Sequence, residues 1–168
     1  MILMNDRFKK PGKKKKQNIK NVTTYFFACE FKPGSELWSV LDGFSYDVKP
    51  AFIYGSLGVI SYEPESYSII DINDKNQPLL GYICTITEPV TVSLVDKIKG
   101  YYGNKAFSHH VKKLVHAYTD LENFTNAWAY VLSDYVLDLY EQIEQIEFGI
   151  WDHDEKQIHL LEKIGESL

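Results

Sequence analysis

From Val22 to Leu132 the chain repeats one texture: short runs of β-branched, aromatic and aliphatic residues, each stopped by Pro, Gly, Asp or Asn. Such runs suit a pleated, half-buried surface better than a helix. Val22–Phe31 (VTTYFFACEF) is the first strand, ended by Lys32-Pro33-Gly34. Ala51–Ile60 (AFIYGSLGVI) is apolar with two glycines, so it reads as a strand with a bend or bulge. Tyr67–Ile72 is a short strand and Leu80–Thr87 (LGYICTIT) another, with a turn over 74–78 between them. Val111–Tyr118 and Asn126–Leu132 form a hairpin around Asp120–Thr125. Two short helices interrupt the strands. Ser35–Leu41 is capped by Ser35. Thr91–Gly100 turns Leu94, Val95 and Ile98 inward and stops at Gly100. Six or so strands with short helices define an α+β domain. Their aromatic content predicts a small, strongly curved mixed β-barrel of about six strands, with the short helices outside.

Beyond Ser133 the period changes. Val136, Leu139, Ile143, Ile146 and Ile150 recur at steps of three and four, which predicts a helix. A second helix is expected from Asp152, where Asp152 and Glu155 have capping-box spacing. Ile158, Leu161 and Ile164 are its expected inner face. Residues 134–168 hold ten acids and two lysines, so these helices present an acidic surface. The other end is opposite in charge. Residues 1–20 carry eight basic side chains and one acid, which leaves a net −12 on the remainder of a chain whose total is −5. The division is a basic flexible arm at 1–21 and a single domain at 22–168.

Composition excludes some classes. No run of about 18 apolar residues is present, which argues against a transmembrane helix. The basic start leads into more lysines rather than an apolar stretch, unlike a secretory signal. Cys29 and Cys84 are far apart and form no CxxC, so neither a disulfide framework nor a zinc site is expected. These features fit a reduced, intracellular compartment, the host cytoplasm if the protein is viral. The Lys-rich arm and Asn/Lys-rich turns are compatible with a viral accessory protein. Asp152-His153-Asp154 is better explained by a helix N-terminus than by a metal, and no metal site is expected.

The order of the strands carries a further signal. The stretches YFFACEFKPGS (25–35), PAFIYGSLGVI (50–60), LLGYICTIT (79–87), LVDKIKGYYG (94–103), HHVKKLVHAY (109–118) and NAWAYVL (126–132) follow one another. In this order and spacing they resemble the gamma-glutamylcyclotransferase-like superfamily over about residues 22–132. The resemblance implies a small β-barrel with helices packed outside and chemistry without a cofactor. In active members a Tyr-Gly-Ser/Thr-x-Leu loop after the first strand holds the substrate carboxylate on backbone N–H groups. A glutamate in a Leu-Asp-x-x-Glu-Gly segment moves a proton as the substrate amine attacks its own γ-carbonyl, releasing 5-oxoproline.

This chain departs from that pattern at both places. Tyr54-Gly55-Ser56-Leu57 looks like the loop but lies only 45 residues before Lys99 and follows an earlier strand of the right character. The better register puts YFFACEFKPG on the first strand, with Cys29 at the loop glycine, Glu30 at the Ser or Thr, and Phe31 and Lys32 following. Val95-Asp96-Lys97-Ile98-Lys99-Gly100 overlays the second segment with Lys99 at the glutamate. Lysine, with a reference pKa near ~10.4, is a poor proton acceptor at neutral pH. Loss of a positioned acid/base group typically removes ~10²–10⁴-fold in rate.

The expected pocket comprises Tyr25, Cys29, Glu30, Phe31, Lys32, Gly34, Tyr54, Lys99, Gly100 and Tyr101. With Lys99 turned inward it favours a phosphate or carboxylate beside stacking aromatics. The leading expectation is a catalytically degenerate domain that binds an anionic small molecule, nucleotide- or carboxylate-like, or a partner protein. One alternative is a gamma-glutamyl cyclotransferase-type enzyme with a rearranged site, in which Glu30 is the acid. Another is an adaptor whose arm, residues 7–20, contacts nucleic acid. Monomer and homodimer are both open.

Overall fold

The described elements are, in chain order, β1 (Thr24–Ala28), a 3-10 turn (Leu37–Val40), β2 (Tyr46–Tyr54), β3 (Ser56–Tyr62), β4 (Glu65–Asp71), β5 (Pro78–Thr85), α1 (Pro89–Ile98), β6 (His110–Tyr118), β7 (Phe124–Leu132), β8 (Glu144–Ile146) and α2 (Glu155–Ser167). They come from a computed structural model describing residues 21–28, 31–62, 65–72, 78–103, 108, 110–133, 144–146 and 154–167. Strands β1, β5, β2, β6 and β7 form a closed barrel in that order. Every pairing is antiparallel except the last, where β7 meets β1 in parallel at Tyr25–Trp128 and Phe26–Ala129. The indole N–H of Trp128 donates to the Val22 carbonyl at 3.1 Å and ties the chain into that seam.

Alternation along β1 divides the interior in two. Phe26 and Ala28 pack into the barrel with Ala51, Ile53, Leu79, Ile83, Ala117, Ala127, Ala129 and Val131. A five-stranded barrel has a narrow bore, which explains why so many of these positions are alanine. Tyr25 and Phe27 point the other way, toward α1 and the 3-10 turn, with Trp38, Tyr82, Val95 and Tyr130. Gly81 faces Ala28 on one neighbouring strand and Ala51 on the other. A Cβ there would stand 2.2 Å from the Phe27 carbonyl oxygen and 2.5 Å from Phe26 Cζ. Glycine is therefore what lets the Phe26 ring lie across β5.

Several elements correct the sequence-based expectation. Ala51–Ile60 is not one bent strand. β2 ends at Tyr54, and β3 enters a separate sheet of order β4-β3-β8. Ile146 does not lie on a helix; residues 144–146 form β8, paired with Val59-Gly58-Leu57 of β3. The rest of the expected first helix, and the arm at 1–20, lie outside the described residues. α2 starts at Glu155, and its capping pair is Asp154 with Gln157 instead of Asp152 with Glu155. Asp154 Oδ1 accepts the Gln157 N–H at 2.9 Å, and Gln157 Oε1 accepts the Asp154 N–H at 3.2 Å. The Tyr82 hydroxyl also donates to Asp154, which anchors α2 to β5. Leu160 and Ile164 pack on Phe52 and Leu80, whereas Ile158 is 44% exposed.

Gly81→Ala is expected to destabilise the fold by about 3 kcal/mol, at the upper end of overpacking substitutions, because the nearest obstacle is backbone. Urea unfolding of the variant checks this, with the transition midpoint falling at unchanged slope.

Candidate functional site

The segment after β1 is folded by a few local bonds. Gly34 has φ +88°, a left-handed conformation suited to glycine. The Ser35 hydroxyl donates to the Lys32 carbonyl at 2.7 Å and accepts the Trp38 N–H at 3.2 Å, so Ser35 caps the 3-10 turn as its sequence position suggests. This brings Phe31 and Trp38 onto Phe27. Phe27 and Phe31 stack at 4.5 Å, and Trp38 meets both edge-on at 5.9 Å. Phe31 is fully buried.

α1 supplies the opposite wall. Its end is closed by Gly100 at φ +67°, with the Gly100 N–H on the Lys97 carbonyl (3.2 Å) and the Tyr101 N–H on the Asp96 carbonyl (2.8 Å). This is a Schellman motif with glycine at the left-handed position. Lys99 is the C-cap of the helix, and its Nζ lies 5.2 Å from the centre of the Phe31 ring. Nδ1 of buried His110 is 2.7 Å from the Lys99 carbonyl. A carbonyl only accepts, so Nδ1 carries the proton and holds this helix end to β6.

A second polar group lies on the outer face of the barrel, under α1. Lys112 Nζ forms a 3.1 Å ion pair with Asp96 and sits over the rings of Tyr101 (4.9 Å), Tyr25 (5.8 Å) and Tyr130 (5.8 Å). The Tyr130 hydroxyl donates to Asp96 Oδ1 at 2.5 Å. Asp96 is thus held by β6 and β7 at once. The tie also sets the rotation of α1. At about 100° per residue, turning Asp96 and Lys99 toward the barrel buries Thr91 and Val95 and turns Leu94 and Ile98 out. Those two were expected inward; they are 47% and 43% exposed.

Burial shapes the acidity of this cluster. It pushes the Tyr25 hydroxyl up to about 12, with the Asp96 charge adding to the effect. Burial and then the hydrogen bond to Asp96 raise Tyr130 well above the ordinary tyrosine range. Burial alone pushes the Cys84 thiol up to about 12, so Cys84 is a packed apolar residue, not a thiolate nucleophile. Among the described residues, no three His, Cys, Asp or Glu side chains come together as a metal site. No described helix is long and apolar enough to cross a membrane.

Comparison with known proteins sets this geometry in context. The fold is gamma-glutamylcyclotransferase-like. An AIG2-like protein (GGACT) from Mus musculus superposes with a TM-score of 0.54 at 11% identity, covering 82% of this chain and 92% of that one. YkqA from Bacillus subtilis gives 0.49 at 13% identity over 77% of this chain, which spans only 39% of that protein's length. PH0828 from Pyrococcus horikoshii, an uncharacterized protein, gives 0.45 at 14% identity, covering 83% of this chain and 95% of that one. No family model and no curated protein matches the sequence. At such identities the likeness is one of fold.

Within that fold Tyr25, Phe31, Lys99 and Tyr101 lie around one aromatic slab, with Gly100 shaping the helix end and Lys32 and Gly34 in the turn beside Phe31. Cys29 and Glu30 fall outside the described residues. Tyr54 does not join the group: its ring packs on Phe52 (5.7 Å) and Tyr118 (5.5 Å). An open groove of about 570 Å³ between β2 and α2, lined by Pro50, Glu155, Lys156, Ile158, His159 and Glu162, contains none of the expected residues. Sequence reasoning missed Asp96, Lys112 and Tyr130. One signal was available: Lys112 and Lys113 are adjacent on a strand, so one of them must face the protein and needs a partner there.

Stability should fall at alkaline pH. Tyr25 and Cys84 hold their protons more tightly folded than unfolded, so they contribute stability that is complete below their ordinary values of 10.0 and 9.0. That contribution is lost as pH rises through about 12. Urea midpoints should be level near neutrality and decline from about pH 9 upward. Cys84→Ala should flatten the onset of the decline.

Proposed function

We propose that this chain is a catalytically degenerate gamma-glutamylcyclotransferase-like domain that binds an anionic small molecule, of carboxylate or nucleotide type, at the Lys99–Phe31 face. The observation that carries the reading is the place of Lys99. The residue aligned with the family glutamate stands over the ring of the segment after β1, 5.2 Å from its centre. A cation there attracts an anion and does not take a proton from an amine at neutral pH. Asp96 is a poor substitute as base. Lys112 and Tyr130 engage its Oδ1, and Lys112 approaches its Oδ2 at 3.4 Å.

The end of β1 also favours a register one residue earlier than the sequence alone suggests. β1 closes at Ala28, and the Phe31 N–H returns to the Ala28 carbonyl at 3.3 Å. Phe27-Ala28-Cys29-Glu30-Phe31 then overlays Tyr-Gly-Ser/Thr-x-Leu with aromatic on aromatic, small on small, and apolar on apolar. In this register alanine replaces the loop glycine, and Glu30 takes the variable position, which carries no acid role.

The test has two parts. Incubation with γ-glutamyl peptides should release no 5-oxoproline; turnover that Glu30→Gln abolishes would overturn the reading. A thermal-shift screen of nucleotides and small carboxylates should find a stabilising ligand, and Lys99→Ala should remove the shift, measured against that variant's own unliganded melting temperature. A ligand shift that survives Lys99→Ala places binding elsewhere.

A further inference from the structure

We propose that the lysine run of the arm, Lys13-Lys14-Lys15-Lys16, docks on the exposed acidic and aromatic stretch Asp42–Val48 of its own chain. Leu41 is buried in the cluster that α1 covers. Beyond it the chain leaves the core: Phe44 is 56%, Tyr46 50% and Val48 38% exposed, interspersed with exposed Asp42 and Asp47. A regular strand on a barrel would turn every second residue inward. Here Asp47 has φ +53°, and the three steps of β2 from Tyr46 to Lys49 face only two of β5, from Thr85 to Ile83. The extra residue is a β-bulge, and it leaves Tyr46, Asp47 and Val48 exposed in a row. Contiguous exposed apolar residues of this kind mark interaction surfaces.

Position and charge select the occupant. Thr24 stands opposite Thr85, and Thr85 opposite Tyr46. At ~4.8 Å between neighbouring strands, Tyr46 lies about 10 Å from the residue at which the chain enters β1. Lys16 precedes Thr24 by eight residues. Extended chain of that length reaches about 26 Å at ~3.3 Å per residue, more than the distance requires. Residues 1–20 hold eight basic side chains and one acid, whereas residues 42–48 hold two acids and no base. Lys49 follows beyond the bulge, opposite Ile83. Phe44 and Tyr46 lie between the two acids in the sequence. An ammonium is attracted by a carboxylate and by the face of an aromatic ring alike, so lysine suits both halves of this pattern. The same stretch of a second copy would instead set acid against acid. Docked here, the lysines are withheld from other anions, and the contact weakens as salt rises.

Carbodiimide cross-linking of the full chain at low salt, which joins lysine to carboxylate only where they touch, tests this with the linked peptides mapped by mass spectrometry. Links from Lys13–Lys16 are expected on Asp42 and Asp47 ahead of the exposed acids Glu122, Glu155 and Glu162. Their yield should hold constant over a hundredfold dilution and fall severalfold in high salt. Phe44→Ser combined with Tyr46→Ser keeps both acids and should still lower the yield severalfold, with an unchanged circular dichroism spectrum. If that double variant fails to fold, the map of linked acids in the unsubstituted chain decides. Links that fall on Glu122, Glu155 and Glu162 instead, or no links at all, overturn the proposal. So does a yield that drops in proportion to dilution, which would place the arm on a second copy, and so does a folded double variant that links as well as the original chain.

Discussion

The parallel pairing of β1 with β7 is the contact on which the rest of the structure depends. It rests on two residue pairs, yet it turns an open sheet into a barrel and fixes which face of β1 points where. Phe26 then fills a bore lined by alanines, and Phe27 becomes the platform for Phe31 and Trp38. A one-residue slip of β1 would exchange these two sets. Both Gly81, which admits the Phe26 ring, and the aromatic wall outside the barrel would then be misplaced. Closure also removes the exposed edges that a five-stranded open sheet would present.

The Asp96–Lys112 pair is the second organising contact, and its value is positional before it is energetic. Both side chains are mostly covered, at 17% and 22% exposure. Ion pairs so placed gain little net stability, because desolvation offsets much of the attraction. Three tyrosine rings and the Tyr130 hydroxyl add the contacts that offset that loss. What the pair secures is the rotation of α1. An apolar stripe alone would have docked Leu94 and Ile98. The polar tie instead turns the helix so that its C-terminal carbonyl meets His110 and Lys99 reaches Phe31.

Much of the barrel was legible because a half-buried strand writes its pattern locally. Strands β1, β5, β6 and β7, the Ser35 cap and the Gly100 stop all follow from neighbouring residues. What the sequence hid depends on distant partners. Gly55 signals a bend, but nothing nearby says that the chain changes sheets there, because that depends on β4 and β8. Ile146 fits a helical stripe as well as it fits a strand; pairing with β3 decides it. The capping pair was misplaced by two residues because Asp152, Asp154, Glu155 and Gln157 offer two boxes of equal spacing. The Tyr82 hydroxyl selects the second. At the site, Lys99 and Phe31 are separated by 68 positions, and the resemblance of order, not any local motif, brought them together.

On the proposed reading, the sign of charge at position 99 separates fold from chemistry. A barrel of this kind can keep its aromatic wall, its helix end and its loop geometry while one side chain decides what the assembled face does. A carboxylate above Phe31 would meet the negative face of the ring and need desolvation or a cation to hold it. An ammonium in the same place is attracted by the ring. Lys99 therefore suits the Phe27–Phe31–Trp38 slab electrostatically as the glutamate would not. Lys112, the neighbouring cation, is paired to Asp96, while Lys99 holds its ammonium over the Phe31 ring.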